Sequence, residues 1–207
     1  DLSKWAVIAC DQYTSQPEYW AETDRIVGDA PSTLRLTLPE VYLEDADVAS
    51  HIERIHKTMQ QYVQDGTLRT LPAGAVLTER WSGGSAPRRG IVLAVDLEAY
   101  EYTPGSASLI RPTEKTVVER IPPRLKVREG ACLELPHIMI LIDAPDRRII
   151  EPLFEKTGSF SKLYDTDLMQ NGGHITGWFI PQGKDTDAIE SGLEALCDRE
   201  TFNAKYG

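Results

Sequence analysis

Between Arg111 and Arg128 the chain carries six basic side chains (Arg111, Lys115, Arg120, Arg124, Lys126 and Arg128) against two acidic ones, Glu114 and Glu119. The whole chain has a formal net charge of −10. A local surplus of cations on a negative background points to a site for a small anion, a phosphate or a carboxylate. Arg111 offers a planar fork of donors and Lys115 a point charge, and both hold oxyanions. The same residues also suit a solvated amphipathic helix in which Lys115 and Glu119, four apart, simply pair.

Asp11 is the second candidate. It follows the apolar run from Trp5 to Cys10, and loops at the carboxyl ends of strands are where sheets commonly bind ligands. A helix cap or turn is the competing role. Asp143 ends another apolar run but stands in Asp-Ala-Pro, a common turn. His137 at a strand start suits a hydrogen-bonded structural histidine. Gly83-Gly84-Ser85 lacks the glycine-then-lysine spacing of a phosphate loop and reads as a hairpin turn, as does Gly172-Gly173-His174. His51 and His56 are five apart on one helix and do not share a face, so a zinc site is not expected. No Ser-His-Asp or Cys-His arrangement is present to suggest covalent catalysis.

These residues must be positioned by a chain of 207 residues, enough for one large domain or two small ones. A sequence pI near 4.9 argues against nucleic acid and anionic membranes as partners. No apolar run has the length of a membrane span. Three widely spaced cysteines, Cys10, Cys132 and Cys197, form neither a disulfide framework nor a zinc pattern and fit a reducing, cytoplasmic setting. The ends, Asp1 and Gly207, have the look of cuts in a longer protein.

Strands are predicted at Trp5 to Cys10, Leu34 to Leu38, Leu68 to Thr70, Ala75 to Trp81, Gly90 to Val95, Leu109 to Ile110 and His137 to Ile142. Phe160 to Leu163 and His174 to Ile180 should pair as a hairpin. Helices are predicted from Pro17 to Ile26, with Ser15 as cap and Gly28 as stop, and from Asp45 to Gln64, where Val48, Ile52, Ile55, Met59 and Val63 recur at three and four. Others begin near Arg124 and run over Arg147 to Glu155 and Asp185 to Phe202. The fold class is α/β or α+β, a mixed sheet covered by helices in two or three layers, as one region. Trp5 to Cys10, Gly90 to Val95 and Ile138 to Ile142 are expected at its centre, with the Asp45 to Gln64 helix over it.

Four segments in this order, Trp5-Ala-Val-Ile-Ala-Cys-Asp-Gln-Tyr13, Gly90-Ile-Val-Leu-Ala-Val-Asp-Leu-Glu98, Ile110-Arg-Pro-Thr-Glu-Lys-Thr116 and Ile138-Met-Ile-Leu-Ile-Asp143, resemble the bacterial family catalogued as domain of unknown function 1015. The family usually shows an Arg-Pro-His-Glu-Xaa-Thr segment, and Thr113 stands where histidine is common. Its members often read Pro-Pro-Tyr-Asp where this chain has Ala9-Cys-Asp-Gln-Tyr13. A downstream Asp-Gly-His-His or Asp-Gly-Asn-His motif of the family does not occur in the 207 residues.

Some members look like small-molecule kinases that phosphorylate free L-serine with ATP, with similarity to the ParB and sulfiredoxin-like nucleotide-binding fold. The resemblance therefore implies the amino-terminal part of a cytoplasmic amino-acid kinase using ATP and Mg2+, with a small-molecule substrate and a carboxy-terminal region as partner. Arg111, Lys115, Thr113 and Thr116 would hold phosphate, and Glu114 or Asp11 would supply the carboxylate that phosphoryl transfer needs. The rival readings are a non-catalytic anion-binding or regulatory module and a purely structural domain.

Overall fold

The computed structural model describes residues 1–8, 13, 16–84, 86–101, 103–106, 108–112, 117–135, 137–196 and 198–206. Its regular elements among these are α1 (Pro17–Val27), α2 (Val48–Gln64), β1 (Gly74–Trp81), β2 (Arg88–Val92), α3 (Ile121–Arg128), α4 (Glu151–Phe154), β3 (Ser161–Leu168), β4 (Gly173–Pro181), α5 (Lys184–Glu194) and α6 (Arg199–Tyr206), with short 3-10 turns between them. The class is α+β: one four-stranded antiparallel sheet in the order β2-β1-β4-β3.

Two hairpins build the sheet. Gly83 and Gly84, both at positive φ, turn the chain from β1 into β2. Gln170 (φ 54°) and Asn171 (φ 58°) turn it from β3 into β4, a left-handed pair that matches strand twist. The hairpins join through β1 and β4, with Leu77 opposite Trp178 and Ala75 opposite Ile180. Ala75, Leu77 and Ile180 share one sheet face because side chains alternate along a strand. That face is covered by Ile149, by Leu153 of α4 and by Ile189 of α5. Leu77 and Ile180 are fully buried, each worth about 1.5–3 kcal/mol relative to exposure. Phe154 meets Trp178 edge to face at 5.8 Å.

Two further apolar clusters lie outside the sheet. On α2, Ile55, Met59 and Tyr62 bury against Leu36, with Trp5, Leu38, Ala131 and Leu133 around them. His56 Nε2 lies 2.8 Å from the Val127 carbonyl and ties α2 to α3. On α1, Tyr19 and Trp20 pack on Ile8, with Leu168 of β3 beside them. Gln170 at the hairpin tip donates to Thr23 Oγ1 (2.5 Å) and to the Tyr19 carbonyl (3.3 Å), joining the sheet to α1.

The structure corrects several element predictions. Trp5 closes a 3-10 turn, Leu2–Lys4, and Ala6 to Ile8 belong to no strand. The Trp5 carbonyl accepts from Thr33 N (3.0 Å), Thr33 Oγ1 (2.8 Å) and Ser32 Oγ (3.2 Å), so it is satisfied without a ladder. Leu34 to Leu38 is not a strand either. Ser32 Oγ accepts from Leu34 N at 3.2 Å and caps a 3-10 turn, Thr33–Leu36, a local bond that competes with extended backbone. Leu68 to Thr70 and Leu109 to Ile110 are also irregular.

His137 to Ile142 is irregular and open, with Ile138 84% and Leu141 76% exposed. Its apolar, β-branched composition fits a pleated surface, but none of the four strands pairs with it. The central strands are β1 and β4, while Gly90 to Val95 contributes the edge strand β2. Accordingly α2 covers the 3-10 turn at Leu36 and not the sheet. Gln16 precedes α1 as its cap residue, and Ser15 lies outside the described residues. The Arg147 to Glu155 helix shrinks to α4, and the Asp185 to Phe202 helix is two helices, α5 and α6.

Candidate functional site

The segment from Asp96 to Pro112 is held by local polar bonds. Asp96 Oδ1 accepts from Glu98 N (3.0 Å) and caps the short turn Leu97–Ala99. Ser108 Oγ donates to the Ala99 carbonyl (2.9 Å) and accepts from Ile110 N (3.2 Å). Thr103-Pro104-Gly105-Ser106 makes a tight turn, with Ser106 N donating to the Thr103 carbonyl at 3.0 Å. Gly105 lies at φ 82°, the value required after proline in a type II turn, and glycine takes it without cost.

This turn presents the Ser106 carbonyl to Arg111. Arg111 Nη2 donates to that carbonyl (2.6 Å) and to Asn203 Oδ1 of α6 (2.6 Å). The guanidinium also lies over the Phe202 ring, 5.7 Å from its centroid. Three contacts fix Arg111, and all are with neutral groups. Among the described residues, its Nε and Nη1 have no protein acceptor, and no carboxylate pairs with it. The positive charge is therefore positioned without being cancelled.

α6 comes to this place because of its two ends. Asp198 accepts from Glu200 N (3.2 Å) and from the Thr201 hydroxyl at the start. At the other end, Lys205 Nζ (2.6 Å) and Tyr206 Oη (2.8 Å) both donate to Asp143 Oδ2. Lys205 foremost, then Tyr206, holds the Asp143 carboxyl below its ordinary pKa, and Asp143 raises that of Lys205. A cleft of about 240 Å3 results, lined by Arg111 and Pro112, by the Thr103–Ser106 turn, by Glu101 and by Tyr206. It can admit a small anion beside Arg111.

Of the predicted site residues, Arg111 lines this cleft. Asp11, Thr113, Glu114, Lys115 and Thr116 lie outside the described residues. Two cations of the basic run are paired with acids: Arg124 with Glu40 (2.9 Å) and Arg128 with Glu134 (3.2 Å). Asp143 does more than turn the chain, since it anchors α6. His137 is exposed. His51 contacts Asp47 (3.1 Å), so the two helix histidines serve different neighbours. Sequence reasoning missed Phe202, Asn203 and Tyr206. The four-residue spacing of Phe202 and Tyr206 was visible, but nothing in it names Arg111 as their partner.

Among the described residues no group of three or more His, Cys, Asp or Glu side chains could hold a metal ion, and no helix is long and apolar enough to cross a membrane. The molecule is thus an α+β protein with a small cleft built on one charge-bearing arginine. Residues 1–198 match the family described as "Protein of unknown function (DUF1015)", and the chain belongs to it. No curated protein and no solved structure matches the chain.

Proposed function

We propose that the Arg111 cleft holds the phosphate of a small molecule, and that it does so as part of an ATP-dependent, Mg2+-requiring kinase acting on a free amino acid such as L-serine. The observation that carries the anion reading is the pair of donors, Nε and Nη1, left open among the described residues on a guanidinium that neutral groups hold there. Donors aimed in advance at developing charge are what phosphoryl transfer asks of a protein. The kinase part rests on the resemblance of Ile110-Arg-Pro-Thr-Glu-Lys-Thr116 to family members of that kind. Lys115, Thr113 and Thr116 would complete the phosphate contacts, and Glu114 or Asp11 would orient the nucleophile or the magnesium ion.

The competing reading, a non-catalytic anion-binding module, is favoured by one feature. Among the described residues Glu101 is the one carboxylate lining the cleft, and it makes no ion pair with Arg111. Thermal unfolding separates the two readings. A kinase gains stability from ATP only with magnesium present, whereas an anion module gains it from phosphate or sulfate regardless of magnesium. Turnover of ATP or ADP with a panel of amino acids is expected only where the carboxy-terminal region that the family resemblance implies is present, and the 207 residues alone should show none. Arg111→Ala and Glu114→Gln should each slow that turnover by orders of magnitude. No magnesium-dependent shift, and no turnover with any amino acid where that region is present, would sink the kinase reading.

A further inference from the structure

A second cleft, about 610 Å3, lies between α1 and α2, within the range of about 300–1,000 Å3 that small-molecule sites occupy. One wall is the α2 stripe His51, Arg54, Ile55 and Thr58, at spacings that place all four on one helix face. Leu34, Leu38 and Pro39 form the opposing apolar wall, and Trp20 and Asp24 of α1 line the cleft as well. Its charges are unequal in their freedom. Arg35 is taken by Asp24 (2.6 Å) and the Gly28 carbonyl (2.6 Å), and His51 by Asp47 (3.1 Å). Arg54 has no acid partner among the described residues.

We infer that this cleft binds a small organic monocarboxylate with a short apolar or aromatic body. The Arg54 fork takes the two carboxylate oxygens side by side, while Ile55, Leu34 and Leu38 cover the body. A phosphate dianion fits poorly, because it needs several donors. Thr58 Oγ1 gives its proton to the Arg54 carbonyl (2.8 Å) and Thr37 Oγ1 to that of Thr33 (3.1 Å), so both hydroxyls offer the cleft lone pairs only. Asp24 on the wall opposes a second negative charge. Tyr42 lines the same cleft, and burial first, then Asp24 and Asp45, raises its pKa, so it stays a neutral donor. The site is independent of the Arg111 cleft.

Benzoate is a suitable probe, followed by amide and indole NMR shifts of the whole chain. Saturable binding is expected, with shifts at Trp20 and along His51 to Thr58. Arg54→Gln should weaken it about tenfold or more, and Arg54→Lys, which keeps charge but loses the fork, should fall between. Benzamide and inorganic phosphate should leave these signals unmoved, and Arg111→Gln should leave benzoate binding intact. Arg54 is exposed, so its variants should fold, which an unchanged Tm would confirm. Absence of saturable benzoate binding, equal binding by Arg54→Gln, or equal shifts with phosphate would each overturn the inference.

Discussion

The sheet and the segment from Leu93 to Arg148 are built on opposite terms. In the sheet, Ala75, Leu77 and Ile180 close an apolar core with α4 and α5, and the backbone runs in paired ladders with one register shift between Lys162 and Tyr164. Among the described residues of the segment, α3 is the one α-helix, Ile138, Met139 and Leu141 are open to solvent, and side-chain bonds to Ser106, Asn203 and Asp143 hold the chain in place. The candidate cleft belongs to the second region. Stability is concentrated where apolar area is buried, and the open donors sit where two polar bonds and one aromatic ring set the geometry.

This contrast can be tested by mutation, and the largest effect should fall in the sheet. Leu77→Ala should cost about 2–5 kcal/mol in denaturant unfolding, through lost burial plus a cavity. Ile138→Ser, which also removes three apolar carbons but from an exposed position in a run that reads as a strand, should stay within about 0.5 kcal/mol. Equal losses would mean that the exposed run packs in solution. Gly177→Ala comes next, because a methyl group there would run into the Tyr164 ring; about 1–3 kcal/mol is expected for such overpacking.

A smaller effect concerns the open end of the same sheet. His174 Nδ1 contacts Asp167 (2.7 Å) and Nε2 contacts Asp165 (2.8 Å). Two carboxylates accept from both ring nitrogens only if the ring is an imidazolium. Its pKa is raised, chiefly by the Asp167 hydrogen bond; burial, next in size, lowers it, and Asp165 raises it further. A raised folded value means that the contribution is fully present below the unfolded value of 6.5 and is lost as pH rises through the folded one. An NMR titration should place the His174 midpoint above 6.5, and His174→Gln should abolish the pH dependence of hairpin exchange in that window. A midpoint at or below 6.5 would contradict the clasp. Smallest of all, Asp143→Asn should speed amide exchange in α6 while leaving β1 and β4 unchanged. Uniform exchange across both regions would erase the distinction.

How far the sequence could be read follows the same division. The β1–β2 and β3–β4 hairpins were visible from alternation and from Gly83-Gly84 and Asn171-Gly172, because local turn chemistry fixes them. α2 was visible from Ile55 and Met59 at helical spacing. Pairing β1 with β4, about a hundred residues apart, had no local signal, and neither did the approach of Asn203 to Arg111. The errors at Trp5 to Ile8 and Ile138 to Ile142 share one cause. An apolar run states that a segment can fit a sheet, not that a partner strand exists. Family membership came from segment order, and Arg111 from charge contrast. Its partners came only from tertiary structure.

The most direct test of the site is calorimetric titration of wild-type protein and of Arg111→Gln with ATP in the presence of magnesium. Saturable binding by the wild type, weakened about tenfold or more by the substitution with Tm unchanged, is the expected result. Equal affinity in the two proteins would contradict a phosphate site on Arg111.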